Sequence, residues 1–383
     1  MTSRRKFLYI LGGGVVLAAT SATLWAATRD PVGARRAWEE AGRLGGTDPR
    51  RRALSYAVLA PNPHNRQPWL ADLSVVDEIT LFCDPERRLP HTDPFDRQIT
   101  IGLGCFLELL SQAAAEDGYR AQATLFPEGE PQPRLDARPV ARVRFVRDET
   151  VAHDPLFAQV LARRSNKEAY DKARPVATEN LATIAAAARH AAVGHTNDPA
   201  RVSDLRGKTW DALYTEMTTY DTAKESVDLI RIGRAEIEAN PDGIDLSGAF
   251  IEGLDMAGML PREEMLDPGS AVFAQQVPIM KAPFDTAMAF LWLTTPGNTR
   301  ARQIEAGRDY VRLNLAATGL GIAMHPFSQA LQEFEEMRPH FERMRRTLEI
   351  GDDDTLQMFV RLGYGPAVKA APRWPFDTRI RNA

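Results

Sequence analysis

Apolar positions recur along this chain in two rhythms. Over residues 99–118 they repeat at helical spacing, with Leu103, Phe106, Leu107, Leu110 and Ala114 on one stripe, which predicts a long amphipathic helix. Over residues 69–83 the pattern alternates instead. WLADLSVV and ITLFC are rich in β-branched side chains and read as strand, turn, strand. Residues 121–126 and 140–146 read as further strands on either side of a proline-rich loop. A short apolar helix over residues 54–60 is stopped by Pro61, after a charged linker spanning residues 29–52.

The later part of the chain repeats that order. Residues 156–164 read as the end of a helix, 180–192 as an alanine-rich helix and 287–294 as a buried strand. Residues 303–319 read as a long helix closing on Gly319-Leu320-Gly321, and 356–362 as a last strand. Helix, strand, long helix, strand occurs twice, which implies a degenerate internal duplication with halves at residues 48–150 and 151–383. Residues 214–284 have no counterpart in the first half. They hold NPDGIDLSG and then Met256, Met259, Met265 and Met280. Two readings stand: an extra helical hairpin whose methionines fill core gaps, or a lid over a flat ligand.

Composition removes several function classes. Lys and Arg number 47 against 51 Asp and Glu, a net charge of −4, and no basic stripe laced with aromatics appears, so nucleic-acid binding is set aside. Cys83 and Cys105 could form one bridge, but two cysteines are no disulfide framework. The seven histidines form no H-E-x-x-H or H-x-H, and C-x-x-C is missing, so no metal site is expected. G-x-S-x-G and a complete G-x-G-x-x-G are missing too.

Residues 1–28 read as an address. Ser3-Arg4-Arg5-Lys6-Phe7-Leu8 has the S-R-R-x-F-L form of a twin-arginine export signal, followed by an uncharged stretch to Thr28. That stretch approaches the ~20 residues that span a bilayer, so a retained anchor is the other reading. Either way the expected location is extracytoplasmic, periplasmic where such a compartment exists, with membrane contact only through this segment. The twin-arginine route carries folded cargo, which directs attention to a cofactor.

Two stretches carry candidate chemistry. Arg163-Arg164-Ser165-Asn166-Lys167 gathers two guanidiniums, a hydroxyl and an ammonium as donors for a phosphate. Taken alone, it could equally be a solvated basic helix end. APNPHNRQPW, residues 60–69, is a rigid polar turn more elaborate than a connection needs.

Together these stretches, with Gly307-x6-Asn314-x4-Gly319-Leu320-Gly321, resemble the nitroreductase family of flavoproteins. The resemblance implies an α+β layer sandwich and FMN as cofactor. In that family an R-R-S-x-R/K motif holds the FMN phosphate and ribityl chain, and a Q-P-W turn from the partner subunit covers the ring. Here the turn comes before RRSNK, the reverse of the usual order. A fused dimer accounts for this, because the turn belongs to one half and RRSNK to the other. The chain is thus similar to the exported Acg-type branch, a single-chain pseudo-dimer with a lid-like insertion and one flavin. For a second site, half one offers only Arg35-Arg36-Ala37-Trp38 and half two lacks a Q-P-W turn.

By resemblance, Arg163, Ser165 and Lys167, with Arg164 beside them, take the phosphate and ribityl region. Pro61, Asn62, Asn65 and Gln67 face the ring or its chain, and His64 stands where small polar residues are common. Arg373 is similar to a late arginine that reaches the phosphate. Met324 to Ser328, including Pro326, lie near the flavin N5. Asn62 replaces the usual serine and Lys167 a common arginine, while Trp69 reads as core behind the turn. The flavin would pass two electrons to a stacked planar acceptor such as a nitroaromatic or a quinone, so no side chain is assigned a catalytic role. NAD(P)H is not expected outside the cytoplasm, so the donor would be a quinol or a redox partner. The other function class is flavin sequestration beneath the lid.

Overall fold

The computed structural model describes residues 28–44 and 46–381, so the segment read above as an export signal, residues 1–28, lies outside the described residues except for Thr28. A 3-10 turn (Gly33–Arg35) runs into α1 (Arg36–Glu40), and α2 (Pro49–Ala57) follows. The residues expected as linker are therefore folded. Asp48 caps α2 by accepting from the Arg50 backbone N–H, and Pro49 fits a first turn whose N–H would have no partner. β1 (Trp69–Asp72) and β2 (Glu78–Cys83) form a hairpin where the alternation predicts it. α3 (Arg97–Glu116), β3 (Tyr119–Leu125) and β4 (Ala141–Arg147) complete the first half.

The second half departs from the sequence pattern at its start. The helix end expected over residues 156–164 is a 3-10 turn, Pro155–Gln159, followed by single turns at Ala162 and Arg163, whose N–H groups both bond the Gln159 carbonyl. The alanine-rich stretch splits into α4 (Thr178–Ala185) and β5 (Ala192–Thr196). Here tertiary pairing overrides helix propensity. Gly194 lies so close to Trp292 that a Cβ would meet its indole at 2.2 Å.

α5 (Pro199–Thr218) precedes the insertion, which is no simple hairpin. It comprises α6 (Tyr220–Asp228), β6 (Ile230–Ile232), α7 (Gly233–Ala239), β7 (Ile244–Leu246), α8 (Ala249–Met256), α9 (Arg262–Met265) and α10 (Ala271–Asp285). Of its methionines, Met265 is buried, whereas Met256 and Met259 are exposed and do not fill a core. The chain closes with β8 (Ala289–Pro296), α11 (Arg300–Gly319), β9 (Ala323–Pro326), α12 (Arg338–Thr347), β10 (Asp354–Gly363) and β11 (Ile380–Arg381).

Two main sheets result. One has the order β11-β1-β2-β4-β3 and the other β5-β8-β10-β9, while β6 and β7 pair in parallel within the insertion. β11 runs parallel to β1, so the chain end completes the first sheet. β8 and β10 are covered on both faces. Leu291, Leu293, Val360 and Leu362 join the core that contains α3 and α11, and Phe290, Trp292 and Phe359 pack into a second, aromatic-rich cluster.

The two long helices meet through glycine. A Cβ on Gly104 would lie 2.2 Å from the Ile304 carbonyl oxygen, and one on Gly307 would lie 1.9 Å from that of Ile101. Gly104 and Gly307 face each other across this crossing, each Cα 3.0 Å from where the other's Cβ would lie. Each helix also begins with an arginine that reaches into the other half. Arg97 donates to the Leu356 and Leu331 carbonyls, and Arg300 to those of Pro131 and Pro133.

Gly104→Ala should therefore destabilise the protein by about 1–3 kcal/mol, since backbone on both helices must separate. Gly207→Ala, where a Cβ meets open space within α5, should instead add about 0.5–1 kcal/mol. Urea unfolding of the two variants against the parent checks both signs.

Candidate functional site

The turn at residues 60–69 is held in a conformation its side chains alone would not choose. His64, Asn65 and Gln67 have φ of 47°, 51° and 52°, in the left-handed region. A mesh of hydrogen bonds fixes them there. Asn62 Oδ1 accepts from the Gln67 N–H at 2.7 Å, and Asn65 Nδ2 donates to the Pro372 carbonyl at 2.9 Å. Gln67 is fully buried, donating to the Pro241 carbonyl at 2.8 Å and accepting from the Trp374 N–H at 2.9 Å. Gln67 and Asn65 thus fasten the turn to the insertion and the C-terminal segment. This departs from the expectation that they face a ligand. Pro61 is buried, Asn62 and His64 are half-buried, and Trp69 is core, its ring 5.2 Å from Phe106.

Arg373 likewise differs from its expected role. It donates through Nε to the Val58 carbonyl, through Nη2 to Leu59 and Ala60, and through Nη1 to Asn65 Oδ1 and the Pro372 carbonyl. All five guanidinium donors are engaged. The carbonyls just beyond α2 need donors and favour a cation, so Arg373 braces that helix end and has none left for a phosphate.

Arg163 and Arg164 are different. Arg163 is 2% exposed and donates through Nη2 to the Leu59 carbonyl at 2.9 Å, while its Nε and Nη1 are buried without a partner. Arg164 Nη1 donates to the Leu161 and Arg163 carbonyls, and its Nε is also buried without a partner. The amide of Asn314 on α11, a member of the glycine-asparagine motif, lacks partners at both ends. Burial lowers Arg163 to about 10; burial and then the charge of Arg163 lower Arg373 to about 9, so both stay cationic at neutral pH, and burial also lowers Arg164. None of them pairs with a carboxylate at ion-pair distance among the described residues. Their guanidiniums lie 5.7, 4.9 and 5.5 Å from the ring centre of Trp38. The segment thought to mark a second phosphate motif thus packs on the first.

Lys167, exposed, joins the remaining parts. Its charge bears on His64 of the turn, His325 of β9 and Asp245 of β7. Burial, then Lys167 and Arg66, holds His64 down to about 4, so its ring is neutral at pH 7. Burial, then the Arg361 and Lys167 charges, keeps His325 well below the usual histidine value. Ser165 and Pro326 are half-buried nearby in sequence, but Ser328 is buried with its hydroxyl 3.8 Å from Met358 Sδ, turned into the core. The structure therefore brings RRSNK, the turn, β9 and the insertion together, and leaves Ser328 outside.

Several residues of the site escaped sequence reasoning. Arg361, buried in β10, donates to the carbonyls of Asn166, Glu168 and Pro283 and stacks 3.8 Å over Tyr170, which sets the path of RRSNK. The available signal was a lone arginine inside an apolar strand. Asp242 lies 2.8 Å from Arg87, 3.0 Å from Arg231 and 3.6 Å from Arg66, which ties the insertion over the turn. His64 Nε2 sits 3.1 Å from the Ser226 hydroxyl, which donates at 3.3 Å to the buried Glu216. Cys83 and Cys105 are both buried free thiols. A cleft of about 860 Å³ opens elsewhere, between the later parts of α3 and α11. Its charges are self-neutralised, with Arg312 at 2.8 Å from Glu108 and 2.5 Å from Asp154, so it offers no free cation to an anionic ligand.

Comparison with known proteins places these features in a family context. The model of the Nitroreductase family matches residues 160–364. The protein named NAD(P)H nitroreductase Rv3131 of Mycobacterium tuberculosis is 27% identical over 333 residues, covering 86% of this chain and 88% of its own. The one named NAD(P)H nitroreductase acg, from the same organism, is 25% identical over 349 residues, with 86% and 95% covered. Among solved structures, the FMN-dependent nitroreductase NfnB of Mycobacterium smegmatis in complex with NADPH aligns with a TM-score of 0.36 and 20% identity. It covers 57% of this chain and 94% of its own. A nitroreductase with bound FMN from Bacteroides fragilis aligns with a TM-score of 0.34 and 15% identity, with 56% and 92% covered.

Arg373→Ala should leave the Val58 carbonyl without its side-chain donor and take one donor each from Leu59 and Ala60, which keep Arg163 and Asn62, at a cost of about 1–3 kcal/mol for the group left buried. Faster hydrogen exchange at residues 62–67, with a lower urea midpoint, is the expected result. Glu216 supplies a pH signature. Burial raises it from 4.5 to about 7, with Gln332 and Ser226 bonding it and Glu225 adding like charge. Its contribution is complete below pH 4.5 and fades as pH rises through about 7. Relative to Glu216→Gln, the parent should lose on the order of 2–3 kcal/mol between about pH 5 and about pH 8, read from paired urea titrations.

Proposed function

The chain belongs to the nitroreductase family, and from that premise we propose that it is an FMN-binding oxidoreductase that reduces a planar acceptor such as a nitroaromatic or a quinone. The observation that carries this is the arginine group at Trp38. Buried cations are normally paired, because an unpaired charge is costly away from water. Arg163 and Arg164 have buried donors without partners and no carboxylate, which fits a phosphate as the missing counter-charge. Arg163, Arg164 and Ser165 would hold it, and Lys167, His64 and Pro326 would border the ring. FMN, when bound, supplies the two-electron chemistry. The protein orients it and excludes water through the latched turn and insertion. Neutral His64 and His325 leave Lys167 as the exposed positive charge beside the ring, where it would favour negative charge on a reduced flavin.

The same reading extends to the export signal. An extracytoplasmic enzyme would take electrons from a quinol or a redox partner, although the relatives' names carry NAD(P)H. The paired long helices and two sheets support descent from a fused dimer with one complete site. One observation favours the second reading, flavin sequestration: the insertion is fastened to the turn at Gln67–Pro241, His64–Ser226 and Asp242–Arg66. A closed roof would retain flavin and leave little room for an acceptor.

The purified full-length chain should be yellow and release one FMN per molecule on denaturation. Lys167→Ala and Arg163→Gln should each weaken FMN binding about tenfold, as loss of one charge-assisted contact predicts. A colourless protein that takes up no added FMN would remove the assignment. Bleaching by NADPH or quinol, followed by reoxidation with a quinone or nitroaromatic, separates enzyme from store.

A further inference from the structure

The segment between the export signal and the first sheet makes contacts that no linker requires. Trp38 is 8% exposed, and its ring lies within 6 Å of the guanidiniums of Arg163, Arg164 and Arg373. Its indole Nε1 donates to the Ala371 carbonyl at 2.9 Å. Arg35 Nε donates to the Ala370 carbonyl at 2.7 Å, and the Arg373 N–H donates to the Ala34 carbonyl at 2.8 Å. Asp30 pairs with Lys369 at 2.7 Å and with Arg35, whose guanidinium also lies 4.0 Å from Asp245 of the insertion. Residues 30–38 are thus bound along residues 369–373 and lie over the arginine group. Gly42 then ties the far end to α2, its N–H donating to Ser55 Oγ at 2.9 Å.

We propose that residues 30–38 form a strap, with Trp38 as its clasp, that closes the phosphate end of the cofactor site and sets how slowly the cofactor leaves. This rests on the flavin reading above. An indole over unpaired guanidiniums stabilises them by cation–π attraction while keeping water out. A phosphate held under it interacts with Arg163 and Arg164 in a lower dielectric, where bulk salt screens poorly. The strap follows directly on residues 1–28, so the part of the chain that addresses the protein for export is continuous with the part that retains its cofactor. A flavin bound before export would then survive passage to a compartment that cannot replace it. Trp38 is a positioning residue in this scheme, acting on the arginines rather than on reacting atoms.

The test is FMN release from the full-length holoprotein, followed by the rise in free-flavin fluorescence after dilution, at low and high salt. Trp38→Ala should speed release about tenfold, the change expected for losing one desolvated cation–π contact, and make it salt-sensitive. Trp38→Phe, which keeps a ring, should restore slow release. Asp30→Asn, which loosens the strap without touching the arginines, should also speed release and guards against a Trp38→Ala variant that fails to fold. Release unchanged in Asp30→Asn and in whichever Trp38 variants fold, from a parent that binds FMN, overturns the strap alone. A parent that binds no FMN overturns the flavin reading and the strap with it.

Discussion

The close crossing of α3 and α11 at Gly104 and Gly307 is the constraint on which the rest of the molecule depends. With each glycine pressed on the other helix's backbone, the helices cannot separate or rotate without losing the packing of both main sheets. Arg97 and Arg300 extend the constraint outward, since each leaves its own helix to bond carbonyls of the opposite half. The two halves therefore act as one body. Loops that lie far apart in the chain, one following α2 and the others flanking β9 and β10, are held against each other at a fixed place.

Within that frame the protein treats its buried arginines in two ways. Around Asp242, and again at Glu108 and Asp154, guanidiniums meet carboxylates and the charge is closed internally. Arg163 and Arg164 meet backbone carbonyls, an aromatic ring and no acid. Desolvating such groups is unfavourable unless a counter-charge arrives, so the difference between the clusters separates structural ion pairs from the cations to which a phosphate is proposed above. Arg373 belongs to the arginine group by position, yet its donors serve the end of α2.

Much of the architecture was legible in local pattern. The hairpin of β1 and β2, the long helices α3 and α11, and strands β8 and β10 follow from periodicities of two and of about 3.6 residues, set by backbone geometry over a few residues. The misreadings have a common cause. The helix read over residues 180–192 ends instead at Ala185, because Ala192 begins β5, which pairs with β8 under Trp292, although alanine favours helices in isolation. Residues 29–52 looked like linker because their charge hid Ala34, Ala37 and Trp38, which are buried. The insertion gave no sustained period, so its mixture of short helices and a two-stranded sheet was not readable.

By itself the sequence determined the β1–β2 hairpin, the two long helices, the central strands and the family the chain resembles, because those are properties of short segments and residue types. Tertiary structure alone decided which donors in those motifs are free. Whether an arginine can meet a phosphate depends on what already occupies its N–H groups. For Arg373 the occupants are the carbonyls of Val58, Leu59 and Ala60, more than three hundred residues earlier in the chain. For Arg163 only the Leu59 carbonyl is engaged, and Trp38 closes the space above it. No local pattern records such pairings, because hydrogen bonds and ring contacts are satisfied in space, after the glycine crossing has fixed which distant segments meet.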